Sequence, residues 1–189
     1  MSAPNEVSFK TYNTRRNLPP HTGRCRKEAN FVGTFLKSLM GEGSKDGYWC
    51  GRHFAIPDCG VADCVLFRFE GTGSGQMATH LIAFEAKLLD WRKALVQAFR
   101  YRYYADESIV VLPVKAARQA VKSRHLFRQF GVGLWTLNLE SGAVCPRIAA
   151  KAQVPLNARK REQALLRIER RVLQLRNLRK KAEPLKHCR

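Results

Sequence analysis

A strand buried on one face repeats every second residue, so a charge at an inward position is a demand that the fold must answer. This chain makes that demand three times in a short space. In Val61-Ala62-Asp63-Cys64-Val65-Leu66-Phe67, Asp63 shares a face with Val61, Val65 and Phe67. In Leu81-Ile82-Ala83-Phe84-Glu85-Ala86-Lys87, Glu85 and Lys87 share a face with Ala83. The two runs predict neighbouring strands joined by a hairpin, with two carboxylates and an ammonium at otherwise apolar positions. Buried unpaired, each would cost several kcal/mol, so the three need one another, a cation, or both. Adjacent carboxylates repel and titrate as a pair unless a divalent cation neutralises them. Magnesium suits, because it is held by one or two carboxylates and completes its shell with waters and phosphate oxygens.

The charge balance names a partner for such a site. With 34 Lys and Arg against 15 Asp and Glu in 189 residues, the chain carries +19. A surplus of that size is an attractor for polyanions, and nucleic acid is the expected one. A divalent-cation site on a strongly basic chain points to metal-assisted hydrolysis of phosphodiester bonds. At 45% hydrophobic residues the chain can bury a core, which excludes wholesale disorder. It has no long apolar run for a membrane span and no leader-like start, so no membrane partner is expected. The six cysteines then read as free thiols in a reducing, cytoplasmic setting, without the close-paired spacing of a zinc knuckle.

Around the central strands the pattern predicts an ordered series of elements. Residues 1–24 are polar, carry Arg15, Arg16 and Arg24, and predict a flexible basic arm. From Arg26 to Met40, Phe31, Val32, Phe35, Leu36 and Leu39 recur at helical steps, with Glu28 at the start of the same face. Three strands follow, Tyr48–Ile56, Val61–Phe69 and His80–Lys87, the last two separated by the turn Gly71-Thr72-Gly73-Ser74-Gly75. Trp91–Tyr104 predicts a helix capped by Asp90. Ile109–Leu112 predicts a strand buried on both faces, Lys115–Phe130 a helix, Gly133–Leu139 a strand, and 146–157 irregular chain.

At these residues the sequence resembles the PD-(D/E)xK nuclease superfamily. Asp63, with Glu85-Ala86-Lys87 on the next strand, matches its motif pair, and Gln97 with Tyr101 matches the Gln-x-x-x-Tyr element of one branch. Glu28 matches the acidic residue that many members carry on the first helix. The resemblance covers residues 25 to about 139 and implies an α/β fold with a restriction-endonuclease-like core (helix, three strands, helix, strand; a mixed sheet flanked by helices). It also implies a DNA endonuclease. Asp63 and Glu85 would be metal ligands, helped by the Ala86 carbonyl and by Glu28, with magnesium as the cation and manganese its expected substitute. Lys87 would orient the attacking water or stabilise developing charge, Gln97 would hold that network, and Tyr101 would pack beside it at the nucleic acid. Asp58, after Pro57, is a second match to the family's Pro-Asp; Asp63 is preferred because it lies within a strand run.

These readings divide the chain into a basic arm (1–24), a nuclease domain (25–149) and a basic amphipathic C-terminal helix and tail (150–189). The last part holds 13 basic and 3 acidic residues. Its stripe of Leu165, Ile168, Val172 and Leu175 predicts packing on the body or on a partner. Arg167, Arg170, Arg171 and Arg176 are the expected phosphate contacts. Cutting both strands of a duplex with one site per chain would suit a homodimer or a larger nucleoprotein assembly. Two other readings stay open: an internal salt-bridge cluster in a catalytically silent nucleic-acid-binding protein, and RNA in place of DNA.

Overall fold

The computed structural model describes residues 6–9, 23–43, 47–71 and 77–182. The charged strand runs form the centre of one mixed seven-stranded sheet whose strands lie in chain order. β1 (Glu6–Ser8) lies parallel to β2 (Tyr48–Ile56), and β2, β3 (Gly60–Glu70) and β4 (Met77–Ala86) form an antiparallel meander. β4, β5 (Glu107–Pro113) and β6 (Gly133–Leu137) run parallel, and β7 (Val144–Ile148) turns back antiparallel. Parallel neighbours need crossovers. α2 (Trp91–Tyr101) links β4 to β5, and α3 (Val114–Lys122) with α4 (Arg124–Phe130) links β5 to β6.

The crossover helices pack on one face of the sheet and α1 (Gly23–Gly43) on the other. Trp91, Ala94, Leu95, Ala98 and Tyr101 of α2 join Val65, Ala83 and Val110 in the larger core cluster, with Ala117, Ala120 and Phe127 beyond them. Phe31, Phe35, Leu36 and Leu39 of α1 meet Cys64, Leu66, Phe84 and Val111 in the second cluster. Because β4 and β5 are covered on both sides, their alternation is filled in and they read as apolar runs.

Several elements depart from expectation for identifiable reasons. The expected helix over 115–130 is two, broken at Ser123, whose φ of −97° and ψ of 28° leave the helical region. β7 lies where irregular chain was expected. Its Pro146 stands opposite Trp135 on an edge strand, a place where a proline costs no ladder bond. The arm is not wholly outside the fold, since residues 6–8 add an edge strand and Phe9 is buried. Residues 23 and 24 of that arm begin α1, whereas residues 1–5 and 10–22 and most of the Gly71–Gly75 turn lie outside the described residues.

The basic tail is no separate unit either. Helix α5 (Ala158–Ala182) buries Ala164, Ile168 and Val172 in the same cluster as the sheet, with Leu165 and Leu175 packed against it. Polar contacts fix it further. Asn157 Oδ1 caps it by accepting from the Lys160 amide at 3.0 Å, and Arg161 reaches Asp106 at 2.7 Å. Glu169 accepts from the Ala78 amide at 3.2 Å. None of these pairings is visible in a helical stripe.

The docking of residues 6–9 depends on Gly51 of β2. A Cβ there would run into the Phe9 ring and come within 2.9 Å of Val65 Cγ2. Gly51→Ala is expected to destabilise the protein by about 1–3 kcal/mol through overpacking, read as a lower denaturation midpoint. An unchanged midpoint would mean that Phe9 does not occupy this seat.

Candidate active site

The site grows out of the hairpin register. Cys64 pairs with Phe84 and Val65 with Ala83, so one step further along the same ladder Asp63 stands opposite Glu85. Cross-strand partners share a face, and this one is covered by α2. Glu85 is 1% exposed, the only buried carboxylate among the described residues. Its Oε1 lies 3.0 Å from the Lys87 ammonium, whose side chain keeps 19% of its exposure. Its Oε2 accepts from the Tyr101 hydroxyl, which also reaches the Val61 carbonyl at 2.7 Å. One hydroxyl carries one proton. An ionised Glu85 therefore takes it, and a protonated Glu85 returns its own to Tyr101, leaving the hydroxyl proton for Val61. Asp63 is partly buried, and its Oδ2 accepts from the Ala86 amide at 2.9 Å.

Burial and mutual repulsion set the electrostatics. Burial first, then the charge of Asp63, pushes the Glu85 carboxyl up to about 7, against the pull of Lys87 and Tyr101. Burial also raises Asp63, opposed by the Ala86 amide and by Lys87, then His53, while Glu28 pushes it further up. Burial alone would lower Lys87, but Glu85, then Asp63 and Glu28, outweigh it and hold the ammonium above its ordinary value. Desolvation and then Glu85 drive the Tyr101 hydroxyl strongly upward, so it stays protonated.

The supporting residues sit at graded distances from this centre. Glu28 and Lys87 line one cavity of about 520 Å³, together with Lys27, Asp90 and Lys93. Gln97 lies one turn before Tyr101 on α2, and its Oε1 is buried without a hydrogen-bond partner. Asp58 stands apart, with an 86% exposed side chain bonded to Lys160 at 2.8 Å. Among the described residues, no group of three or more His, Cys, Asp or Glu side chains gathers where a metal ion would be enclosed.

Three sequence expectations are corrected. Tyr101 is 1% exposed and spends its hydroxyl on Glu85 and Val61, so it is no nucleic-acid contact. Arg171 donates to the Ser8 carbonyl at 2.9 Å, and the Arg176 guanidinium lies 5.7 Å from the Trp49 ring centre. Both are engaged with protein, because α5 packs across β4 and β2 and these two arginines reach Ser8 and Trp49. Arg167 and Arg170 line a cavity on that flank, floored by Phe9, Ile56 and Leu166.

His53 was missed. The pairing of Arg52 with Cys64 and Phe54 with Ala62 sets it opposite Asp63, exposed and at φ 54°. Counting back from the Pro57–Cys59 turn would have found it.

No family model matches the chain, and no curated protein matches it in sequence. Its fold is shared with a solved structure, the SPO1766 protein of unknown function from Silicibacter pomeroyi. That similarity has a TM-score of 0.53 and 12% identity, over 85% of this chain and 94% of that one. An XisH family protein from Nostoc punctiforme is similar more loosely, with a TM-score of 0.39 and 15% identity over 63% of this chain and 98% of that one. Among the described residues, no helix is long and apolar enough to cross a membrane.

A carboxyl raised on folding makes stability depend on pH. The unfolded Glu85 ionises near its ordinary 4.5 and the folded one at about 7. The stability it contributes is complete below about 4.5 and is lost as pH rises through about 7; Asp63, also raised, acts in the same direction. The loss is on the order of 3 kcal/mol. Without divalent cations, the denaturation midpoint should fall from pH 5 to pH 8 by several degrees. Glu85→Gln should flatten that fall and be the more stable protein at pH 8. A wild-type midpoint that rises over this range would contradict the assignment.

Proposed function

We propose that this protein is a metal-dependent endonuclease of the PD-(D/E)xK type, hydrolysing phosphodiester bonds of DNA. The observation that carries the reading is the arrangement of Asp63, Glu85 and Lys87. Two carboxylates oppose each other on β3 and β4, one of them paired with an ammonium at 3.0 Å that also lines an open cavity. A cluster built only for stability has little use for a second carboxylate that repels the first.

The donors fit a hard divalent cation. Asp63 and Glu85 are oxygen ligands that would hold magnesium, and the small number of protein ligands is what magnesium accepts, since it keeps waters and phosphate oxygens in its shell. The Ala86 carbonyl and Glu28 are further ligands by resemblance. When bound, the cation supplies charge neutralisation at the phosphate and lowers the pKa of water.

The chain's own residues do the rest. Lys87, held in place by Glu85, donates toward the attacking water or toward the phosphate oxygen on which charge develops, and a preplaced donor needs no reorganisation. Tyr101 anchors Glu85 from α2. Gln97 Oε1 is a buried acceptor in want of a partner, and an ordered water of the site would supply one.

The competing reading is a silent basic nucleic-acid-binding protein in which the three charges only hold β3 to β4. It draws on the protein partners that both Glu85 oxygens and Asp63 Oδ2 already have.

Incubation with supercoiled plasmid decides between them. Cleavage is expected with magnesium or manganese and not in EDTA. Asp63→Ala, Glu85→Ala and Lys87→Ala should each abolish it, while Gln97→Ala costs about 10- to 100-fold. Plasmid bound but intact at every metal concentration favours the silent protein, and undiminished cleavage in EDTA overturns the nuclease reading. A parallel RNA substrate tests the choice of DNA.

A further inference from the structure

The sequence places the phosphate grip on α5, but that helix spends much of its basic character on the protein itself. Arg161 serves Asp106, Lys160 serves Asp58, Arg171 serves Ser8, and Arg176 lies over Trp49. Among the described residues, a second group of basic side chains without ion pairs lies elsewhere. Residues 114–130, which form α3 and α4, hold five Lys or Arg and no Asp or Glu. Lys115, Arg118 and Lys122 fall on the outer face of α3, away from the buried Ala117 and Ala120, and are exposed. Arg124 and Arg128, one turn apart on α4, are exposed as well, with Phe127 buried between them.

Among the described residues none of these five has a carboxylate within ion-pair distance. Like charges one turn apart destabilise a helix, and no acidic neighbour offsets them here. A bound polyanion would.

The position of this charge joins it to the candidate active site. The cavity beside Lys87 is bounded by Leu89 and Asp90, and the same two residues bound a second cavity of about 410 Å³ that takes in Arg92 and Lys115 and ends at Ser123. The next residue, Arg124, lines a third cavity of about 340 Å³ with Arg128 and Arg147. The stretch is firmly based. Trp91 stacks on Phe127 with ring centres 5.9 Å apart, tying α2 to α4, and the Arg92 guanidinium is seated 4.5 Å from the Trp91 ring centre.

We infer that this line of three basic cavities, running from Lys87 across the start of α2 to α3 and α4, is the track that holds the phosphate backbone of the nucleic acid. The inference rests on the nuclease reading for the direction in which the strand leaves the site. It extends that reading by placing the principal binding surface on α3–α4, with α5 as a mainly structural helix. A nucleic-acid strand is the occupant the surface fits, because its charges recur along its length, as basic side chains recur from one of these cavities to the next. Contacts of this kind are to phosphates and carry no sequence preference.

The test is the salt dependence of binding. Affinity of the full chain for a short fluorescent duplex DNA is measured by anisotropy in EDTA at several salt concentrations, so that no cleavage intrudes. Replacing Lys115, Arg118, Arg124 and Arg128 by Ala should flatten the log–log salt slope by roughly 3 to 4, at about 0.9 for each lost phosphate. The charge-keeping set Lys115→Arg, Arg118→Lys, Arg124→Lys and Arg128→Lys should retain most of the slope, which separates lost contacts from a damaged fold. Arg167→Ala with Arg170→Ala should change it little. An unchanged slope in the four-alanine protein, or a larger loss in the α5 pair, overturns the inference. Magnesium-dependent cleavage separates the two readings. A protein that binds through the track but cuts nothing keeps this inference and sinks the nuclease. A protein that cuts with an unaltered half-saturating concentration in the four-alanine variant does the opposite.

Discussion

Glu85 is a carboxylate almost wholly removed from water and set opposite a second one, and the middle of the sheet is arranged around that fact. Lys87 supplies a positive charge at 3.0 Å, Tyr101 a hydroxyl, and the Ala86 amide steadies Asp63 at 2.9 Å. These contacts do not cancel the cost, since the Glu85 carboxyl still stands at about 7. What remains is the cost of burial first and of the repulsion from Asp63 second, and under the proposed function a bound cation would offset both. Two helices and two strands meet here because each brings a group that this balance needs. β3 contributes Asp63, β4 contributes Glu85 and Lys87, α2 contributes Tyr101 and Gln97, and α1 brings Glu28 to the rim of the cavity.

Much of this was legible from the period of two. Asp63, Glu85 and Lys87 stood out because they interrupt apolar alternation, and the hairpin that pairs them follows from two adjacent runs with a glycine-rich turn between. Tyr101 was legible only as a position one turn after Gln97. Its hydrogen bond to Glu85 depends on how closely α2 lies on β4, which no local pattern specifies. His53 was hidden for a related reason, because a strand's sequence does not announce its partner residue. The register has to be counted from the turn.

The errors at the periphery share a cause. β1 is three residues long and β7 carries a proline, so neither has enough alternation to be read as a strand. Both depend on an existing sheet edge. The helix break at Ser123 turns the exposed faces of α3 and α4 independently, which a single continuous helix over 115–130 would not allow. The tail misled in the other direction. Its arginines were read as free because composition counts charges without their partners, whereas Arg161 and Arg171 are hydrogen-bonded to the body and Arg176 packs on Trp49. Net charge only counts charges; which of them stay open to a partner depends on how each is paired on the protein.

Whether the opposed carboxylates form a cation site is tested by calorimetric titration of magnesium into the metal-free protein at pH 7. Repeating the titration in buffers of different ionisation enthalpy counts the protons released. A single class of site, one per chain, is expected, with protons released as Glu85 loses the share it still carries near its raised pKa of about 7. Asp63→Asn should abolish the binding. Magnesium that binds wild-type and Asp63→Asn equally, or gives no binding heat in either, would rule the cation site out.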